Sequence, residues 1–484
     1  MSDTHAHTVA YVRDTMMPQQ PAPAGQGGAV RWLRENLFAT PLNVALTLIG
    51  LLIVWFLVTH FYPWFAHSVW RAGSLAECRQ IITDRWGEGA TGACWAVIRA
   101  RWHQFAFGFY PPELYWRPLL VWGLLLIAIA PVLFYDKARL RQGLVIAGAL
   151  MSLAAMAALG TPMTIVIACA VVMAALGLLA LLRPDWALVF TLLFPALAIW
   201  LQWGGSAWTV LSVLAGFVAG WLAFRLVVGT GSLLAIIVGI AATLIWWFYA
   251  AGPVAAALRN ALPLDLTYVE SRQFGGFLLA ITLGVGGIVM SLPLGIVLAL
   301  ARRSDMFLVK SLAVMFIEFI RGVPLITLLF VASLLLNYFL PPGTNFDIIL
   351  RVMILVTLFA SAYIAEVIRG GLAALPRGQY EAADALGLDY LKAQRLIVLP
   401  QALKISIPGI VGTFIGMFKD TTLVVFVGLF DPLKAMSDTV RADFAWKGIY
   451  WEPFIFVGAI FFLICFGMSR YAMYLERQLK RDHR

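Results

Sequence analysis

The sequence predicts an all-α, polytopic helical membrane protein, and three observations carry that prediction. Of 484 residues, 62% are hydrophobic and 12% charged. The mean hydropathy is +0.87. Apolar runs of about 20 residues recur from Leu42 onward, the length a helix needs to cross the hydrocarbon core with its own backbone satisfied. This composition excludes a soluble fold.

Spans are expected near 42–62, 118–134, 143–160, 164–182, 186–203, 208–227, 233–251, 276–300, 312–340, 347–368, 404–430 and 453–475, about twelve in all. The stretch 143–182 reads as two spans joined at Gly160-Thr161-Pro162 or as one long kinked span. Charge tests the parity of the count, because short loops rich in Lys and Arg stay in the cytoplasm. With the N-terminus inside, Lys137, Arg139 and Arg141, then Arg183, then Arg302, Arg303 and Lys310, then Arg470, Arg477, Lys480 and Arg481 fall on one side. Loop 63–117 dissents with Arg71, Arg79, Arg85, Arg99, Arg101 and Arg117 on the outer side, but long loops obey the rule weakly. The net charge of +10 is thus a topology signal and needs no nucleic-acid partner.

Residues 1–40, with Pro18, Pro21 and Pro23 among Gln, Ala and Gly, read as a disordered cytosolic tail before an uncleaved anchor. Residues 476–484 form a basic cytosolic tail. Cys78 and Cys94 lie in the outer loop, where a disulfide and two free thiols are both open, while Cys169 and Cys465 sit in apolar spans.

Enzymatic chemistry has little to stand on. Histidine occurs at His5, His7, His60, His67, His103 and His483, so residues 104–482 contain none. Haem, copper and most zinc sites in the bilayer lose their preferred ligand, and no metal site is expected. No G-x-x-x-x-G-K-[ST] run is present to cradle ATP phosphates, so a motor of that type would be a separate chain.

The most distinctive segment is polar. Glu381-Ala382-Ala383 is followed by Gly387, Leu388, Ile397, Leu399 and Pro400, within a stretch that also carries Arg377, Asp384, Asp389, Lys392 and Arg395. Such charges do not stay in lipid, so the segment faces water. Pro376 precedes a helix-forming run, Gly387 suits the left-handed residue that closes it, and Asp389 suits the cap of a second helix ending before Pro400. Ala382 and Ala383 would let another protein approach, and Leu386, Leu388 and Leu391 offer apolar knobs to a groove. An ordinary cytosolic loop is the plainer reading.

The pattern Glu-Ala-Ala, three residues, Gly, nine residues, Ile, any residue, Leu-Pro resembles the coupling loop of the membrane subunits of bacterial ABC importers. Glu318-Phe-Ile-Arg321-Gly322-Val-Pro324-Leu325, Ser361-Ala-Tyr-Ile-Ala-Glu366-Val-Ile-Arg369-Gly370-Gly371, Pro376-Arg-Gly-Gln379 and Lys419-Asp420-Thr421-Thr422 are similar to its polar-amino-acid branch. The cysteine-bearing loop looks like that of general L-amino-acid permease subunits. The resemblance covers 270–484 well and 40–135 more loosely. It implies a type I importer core of about five helices at 276–475, with the coupling loop at 370–403 between its third and fourth spans. An accessory helical region at 41–275 precedes that core. It also implies a second permease subunit in a heterodimer, two cytosolic ATPase subunits that use the ATP, and a periplasmic binding protein delivering L-amino acids. This chain would bind no cofactor. The competing class is an ion- or proton-coupled transporter acting alone. A membrane-bound oxidoreductase is disfavoured by the missing histidines.

Charges inside the membrane are functional candidates. Glu318 with Arg321 and Glu366 with Arg369 are i,i+3 pairs, each able to neutralise itself on one helix face near the inner surface. They read as a structural clasp or as an inner gate. Lys419 and Asp420 lie about two-thirds of the way through their span. As a substrate pathway, Asp420 would meet an ammonium while Thr421 and Thr422 supply hydroxyls; a Lys419–Asp420 contact that stabilises the bundle is the alternative. Gly412 and Gly416 form a G-x-x-x-G that suits either a partner permease or packing within the bundle.

Overall fold

The computed structural model describes residues 28–335 and 347–481. Residues 1–27 of the expected tail, 336–340 of the expected ninth span and 482–484 lie outside the described residues. The chain divides into two compact units, Met1–Ala96 and Val97–Arg484.

In the first unit, α1 (Gly28–Asn36) forms within the segment expected to be disordered, with an Arg31–Glu35 ion pair of 2.8 Å along its face. α2 (Pro41–Ala66) contains an 18-residue stretch of mean hydropathy 2.4 and buries none of its residues, as suits a helix solvated by lipid. α3 (Leu75–Trp86) is capped by Ser74, and its Cys78 is disulfide-bonded to Cys94, with Cα atoms 6.0 Å apart. Of the two states open for these cysteines, the structure has the bonded one.

In the second unit, α4 (Ala96–Phe107) leads to α5 (Trp116–Leu133), α6 (Ala138–Ala158), α7 (Met163–Leu182), α8 (Pro184–Trp203) and α9 (Ala207–Val227). The stretch 143–182 is thus two helices, parted at Gly160 and Pro162. α10 (Ser232–Ile245) runs through a π-turn at Trp246–Ala250 into α11 (Ala251–Ala261). Two-residue strands β1 (Gly205–Ser206) and β2 (Asp265–Leu266) pair antiparallel, a minor departure from all-α. The later helices are α12 (Gly276–Arg302), α13 (Phe307–Gly322), α14 (Leu325–Phe330), α15 (Ile348–Ala373), α16 (Gly378–Ala385), α17 (Tyr390–Ala393), α18 (Leu399–Asp420), α19 (Pro432–Ala442) and α20 (Trp451–Arg481).

Among the described residues, eleven helices are long and apolar enough to cross a membrane. The expected span 312–340 is not one of them. Its apolar run is broken after α13, where Val323 takes extended backbone angles before Pro324, the conformation that a following proline imposes. The expected boundary at residue 275 does not separate two cores either. Leu124, Ile127, Met173 and Phe194 of the accessory helices share one buried cluster with Leu283, Val352, Val356 and Met417.

Alternating helix directions gather the connections at two ends. At one end Gly108 bridges Phe274 and Gly275 bridges Phe430. The approach is so close that a Cβ on Gly276, which has φ +57°, would sit 2.1 Å from the Phe105 carbonyl oxygen. Asp431 lies at this end, fully buried, and caps α19 by accepting from the amides of Leu433 and Lys434 at 3.0 Å each. Burial pushes its carboxyl up to about 6, against the opposing pull of those amides and Lys434. At the other end Arg141 donates to the Phe134, Tyr135 and Leu181 carbonyl oxygens, tying the ends of α5 and α7.

Candidate functional site

The polar segment folds as an elbow. α16 closes in a Schellman turn: the Leu388 amide donates to the Ala383 carbonyl at 3.2 Å and the Gly387 amide to the Asp384 carbonyl at 2.9 Å. Gly387 holds φ +68°, and a Cβ there would meet no atom within 4 Å. Asp389 Oδ1 accepts from the Lys392 amide at 2.8 Å and so starts the second arm, α17.

That arm does not end before Pro400, as the sequence suggested. It passes through a π-turn at Gln394–Val398, where the Leu399 amide reaches back to the Gln394 carbonyl, directly into the membrane helix α18. Proline lacks an N–H and its ring crowds the carbonyl four residues earlier; widening the preceding turn relieves both constraints and lets the helix continue.

Glu381, Ala382, Leu386, Gly387 and Pro400 are exposed, and Leu388, Ile397 and Leu399 are half-buried. Ala383 is fully buried, so its small size serves packing under the elbow and cannot receive a partner as expected. Leu386 is 74% exposed, a large apolar side chain in water at the tip. Two polar contacts fix α16 to the bundle. Gln401 Nε2 donates to Gln379 Oε1 at 2.8 Å, and Arg303 Nη1 donates to the Tyr380 hydroxyl at 3.0 Å with its guanidinium 5.5 Å from that ring's centre.

Just above the elbow lies an ion cluster. Glu366 accepts from Arg369 at 2.6 Å, the expected pair. Glu318 instead pairs with Arg302 at 2.9 Å, and Arg321 reaches Glu366 at 3.7 Å. Arg302 also reaches Glu366 at 3.3 Å, so the four expected charges and Arg302 bind α12, α13 and α15 across one another. The expected Glu318–Arg321 self-pairing gives way because α12 supplies a closer cation than the same helix face. Arg321 also sits 5.5 Å from the Tyr363 ring centre.

Lys419 and Asp420 end α18, and Thr421 and Thr422 open the 3-10 turn at Thr421–Val427 that follows it. Thr421 donates to the Phe418 carbonyl at 2.7 Å and Thr422 to the Lys419 carbonyl at 2.8 Å, so both hydroxyl protons are engaged at the end of α18. Thr421 is fully buried and faces no ligand; Thr422, half-buried, has only lone pairs to offer, which suit an ammonium better than a carboxylate. Lys419 is exposed and makes no ion pair with Asp420 among the described residues. A Cβ added to Gly412 or Gly416 would meet nothing within 4 Å, so this chain's own bundle does not use that stripe.

Sequence reasoning missed Arg302, Arg303, Tyr380 and Gln401. The two arginines were read for topology alone, and the signal that could have found them is their position directly after an apolar run of 26 residues' length, about 39 Å of helix.

A family model described as a binding-protein-dependent transport system inner membrane component matches residues 291–481. The glutamate/glutamine/aspartate/asparagine transport system permease protein BztC of Rhodobacter capsulatus is 59% identical over 485 residues, covering 100% of both chains. The chain belongs to this permease family. The inner membrane amino-acid ABC transporter permease protein YhdY of Escherichia coli is 35% identical over 95% of this chain and 96% of its own. The probable glutamine ABC transporter permease protein GlnP of Bacillus subtilis is 30% identical over 203 residues, 42% of this chain and 90% of its own. A crystal structure titled as an amino acid ABC transporter with histidines is 31% identical, covers 41% of this chain and 90% of its own, and has a TM-score of 0.37. This permease is therefore a multi-pass inner membrane protein of the ABC importer class, a transport subunit of a larger system. The matches give no support to a secondary transporter acting alone.

Proposed function

We propose that this permease carries L-amino acids inward as one half of a permease heterodimer, with two cytosolic ATPase subunits and a periplasmic binding protein as its other partners. ATP is used by the ATPases, and this chain binds no cofactor. The single observation that carries the reading is the elbow at 378–400. It is water-exposed, shaped by a Schellman turn, tipped by Leu386, and continuous with a membrane helix, as a part that receives force from a partner must be. The substrates proposed are glutamate, glutamine, aspartate and asparagine, which the 59% identical relative's name carries. Asp420 and Thr422, with Lys419 beside them, are proposed as this chain's part of the pathway; Thr421, expected there too, is fully buried and is left out of it. The ion cluster of Glu318, Arg321, Glu366 and Arg369 with Arg302 is proposed to hold the inner mouth.

The test is the complete complex, co-expressed with its partner subunits and reconstituted in proteoliposomes. Uptake that needs ATP, ignores uncouplers and is competed by all four amino acids is the expected result. Uptake abolished by an uncoupler with ATP present would overturn the importer assignment, and competition by none of the four would overturn the substrate class.

A further inference from the structure

We infer that Arg302 and Arg303 form a two-residue transmission link, joining the elbow to the ion cluster so that elbow displacement is read at the inner ends of α12, α13 and α15. The inference rests on the coupling role proposed above and adds the residues that would carry the signal onward.

The geometry is specific. Consecutive Cα atoms are about 3.8 Å apart, so the two side chains share one anchor at the end of α12. Arg302 reaches into the cluster, to Glu318 at 2.9 Å and Glu366 at 3.3 Å. Arg303 reaches the other way, to the Tyr380 hydroxyl at 3.0 Å and the Leu372 carbonyl at 3.4 Å. Tyr380 immediately precedes Glu381 on the elbow's first helix. A cleft of about 270 Å³, lined by Leu300, Arg303 and Leu372 on the bundle side and Tyr380, Asp384 and Gln394 on the elbow side, separates the two. The cleft gives the elbow room to move, and Arg303 crosses it.

The residue types fit a link better than a clasp. Arginine presents several donors in a fixed plane, so Arg303 can hold a hydroxyl, a carbonyl and a ring face together where lysine offers a point charge. The Arg303–Tyr380 contact is exposed to solvent, which makes it a minor contributor to the fold and keeps its removal from unfolding the bundle. Arg302 is different: it contacts both acids of a cluster that packs three helices, so motion of the end of α12 changes the pairing of Glu318 and Glu366 together. Glu366 can then exchange partners, having Arg321 and Arg369 also in reach.

The experiment uses the reconstituted complex and reads amino acid transported per ATP hydrolysed, a ratio that a loss of folded protein does not move. Arg303→Ala and Tyr380→Ala are each expected to lower it at least about five-fold, the lower end of ordinary coupling between sites. The double variant should be no worse than either alone, and Tyr380→Phe, which keeps the ring and removes the hydroxyl, should fall between. Should Arg303→Ala not assemble, Arg303→Lys and Tyr380→Phe carry the test with the same ratio. Gly387→Val in the elbow itself is the benchmark. If Gly387→Val lowers the ratio while the Arg303 and Tyr380 variants keep it, the link is wrong and the elbow's role stands. If all of them keep it, the coupling reading itself fails. Additive losses in the double variant would also overturn the link, because two residues acting through one contact cannot lose it twice.

Discussion

Gly387 is the position where the elbow's chemistry can be changed most cleanly. Its φ of +68° is a left-handed conformation, and no atom lies within 4 Å of where a Cβ would sit. A side chain there meets no clash, so its cost is confined to the backbone. For an ordinary L-residue that cost is about 1–2 kcal/mol, and a β-branched residue lies at the upper end. Two kcal/mol shifts the balance between the closed Schellman turn and an opened one by roughly 30-fold, since about 1.4 kcal/mol is tenfold. Asn and Asp tolerate the conformation, and they differ from each other only in charge. A negative charge at a helix C-terminus costs a further 0.3–1 kcal/mol or so, and here Asp384 and Asp389 already flank it. The expected order of uptake in proteoliposomes is therefore Gly close to Gly387→Asn, then Gly387→Asp, then Gly387→Val. Membrane levels should be equal throughout, because nothing in the bundle touches the site. Hydrogen exchange of amides 386–388 should rise in the same order as uptake falls. Wild-type uptake by Gly387→Val, with exchange raised as expected, would refute the claim that the turn matters to transport.

Glu366→Gln should lower the melting temperature of the detergent-purified complex by an amount equal to about 2 kcal/mol, because three arginines lose their shared acid at a partly exposed site; an unchanged melting curve would contradict the cluster's clasp role. Asp431, held near pH 6 by burial, contributes stability that is present below the ordinary carboxylate range and lost as pH rises through about 6. Wild type should therefore lose up to about 3 kcal/mol relative to Asp431→Asn, which keeps the cap, between pH 4 and 7; parallel melting profiles would refute this. Unreduced protein should resist alkylation at Cys78 and Cys94, and reduction should cost the segment around the bond about 3 kcal/mol and open Arg79 and Arg85 to trypsin, so labelling of both cysteines without reductant would count against the bond.

The membrane helices were legible because lipid demands an apolar surface over the full length of a helix, and that demand is written in every run from Leu42 to Phe466. The elbow was legible because its turn chemistry is local: Gly387 and Asp389 each act within four residues. The break after α13 was less so. Pro324 marks it, yet Pro131, Pro195, Pro293 and Pro408 all sit inside unbroken helices, so a proline in an apolar run does not by itself separate a kink from an end. The partner exchange at Glu318 was not legible either. Spacing tells which residues share a face, and only packing decides which neighbouring helix brings Arg302 to that face. Ala383 was misjudged for the same reason, since exposure on a short amphipathic helix depends on how the helix lies against the bundle.

The continuity of the second arm into α18 changes what the two candidate regions mean for each other. Were the arm to stop before Pro400, the elbow and residues 419–422 would be separate bodies joined by a flexible peptide. Instead 22 residues run unbroken from Leu399 to Asp420, about 33 Å of helix. Near the elbow this rod is clamped where Ala402 and Ser406 press on Gly371, whose added Cβ would lie 2.1 Å from Ser406 Oγ. Near Lys419 it is clamped where Phe418 and Met417 fill the space left by Gly284 and Gly287. The first clamp is made of small residues, which let two backbones approach closely, and the second seats two large side chains on glycines. The π-turn at 394–398 before this helix and Pro408 within it are the places where its hydrogen-bond ladder is irregular. Under the coupling role proposed above, force arriving at Leu386 or Glu381 would have one route to Lys419 and Asp420 along α18, and a second, through Arg303 and Arg302, to the ion cluster. On that proposal, two routes leaving one elbow would let the ion cluster and residues 419–422 change together.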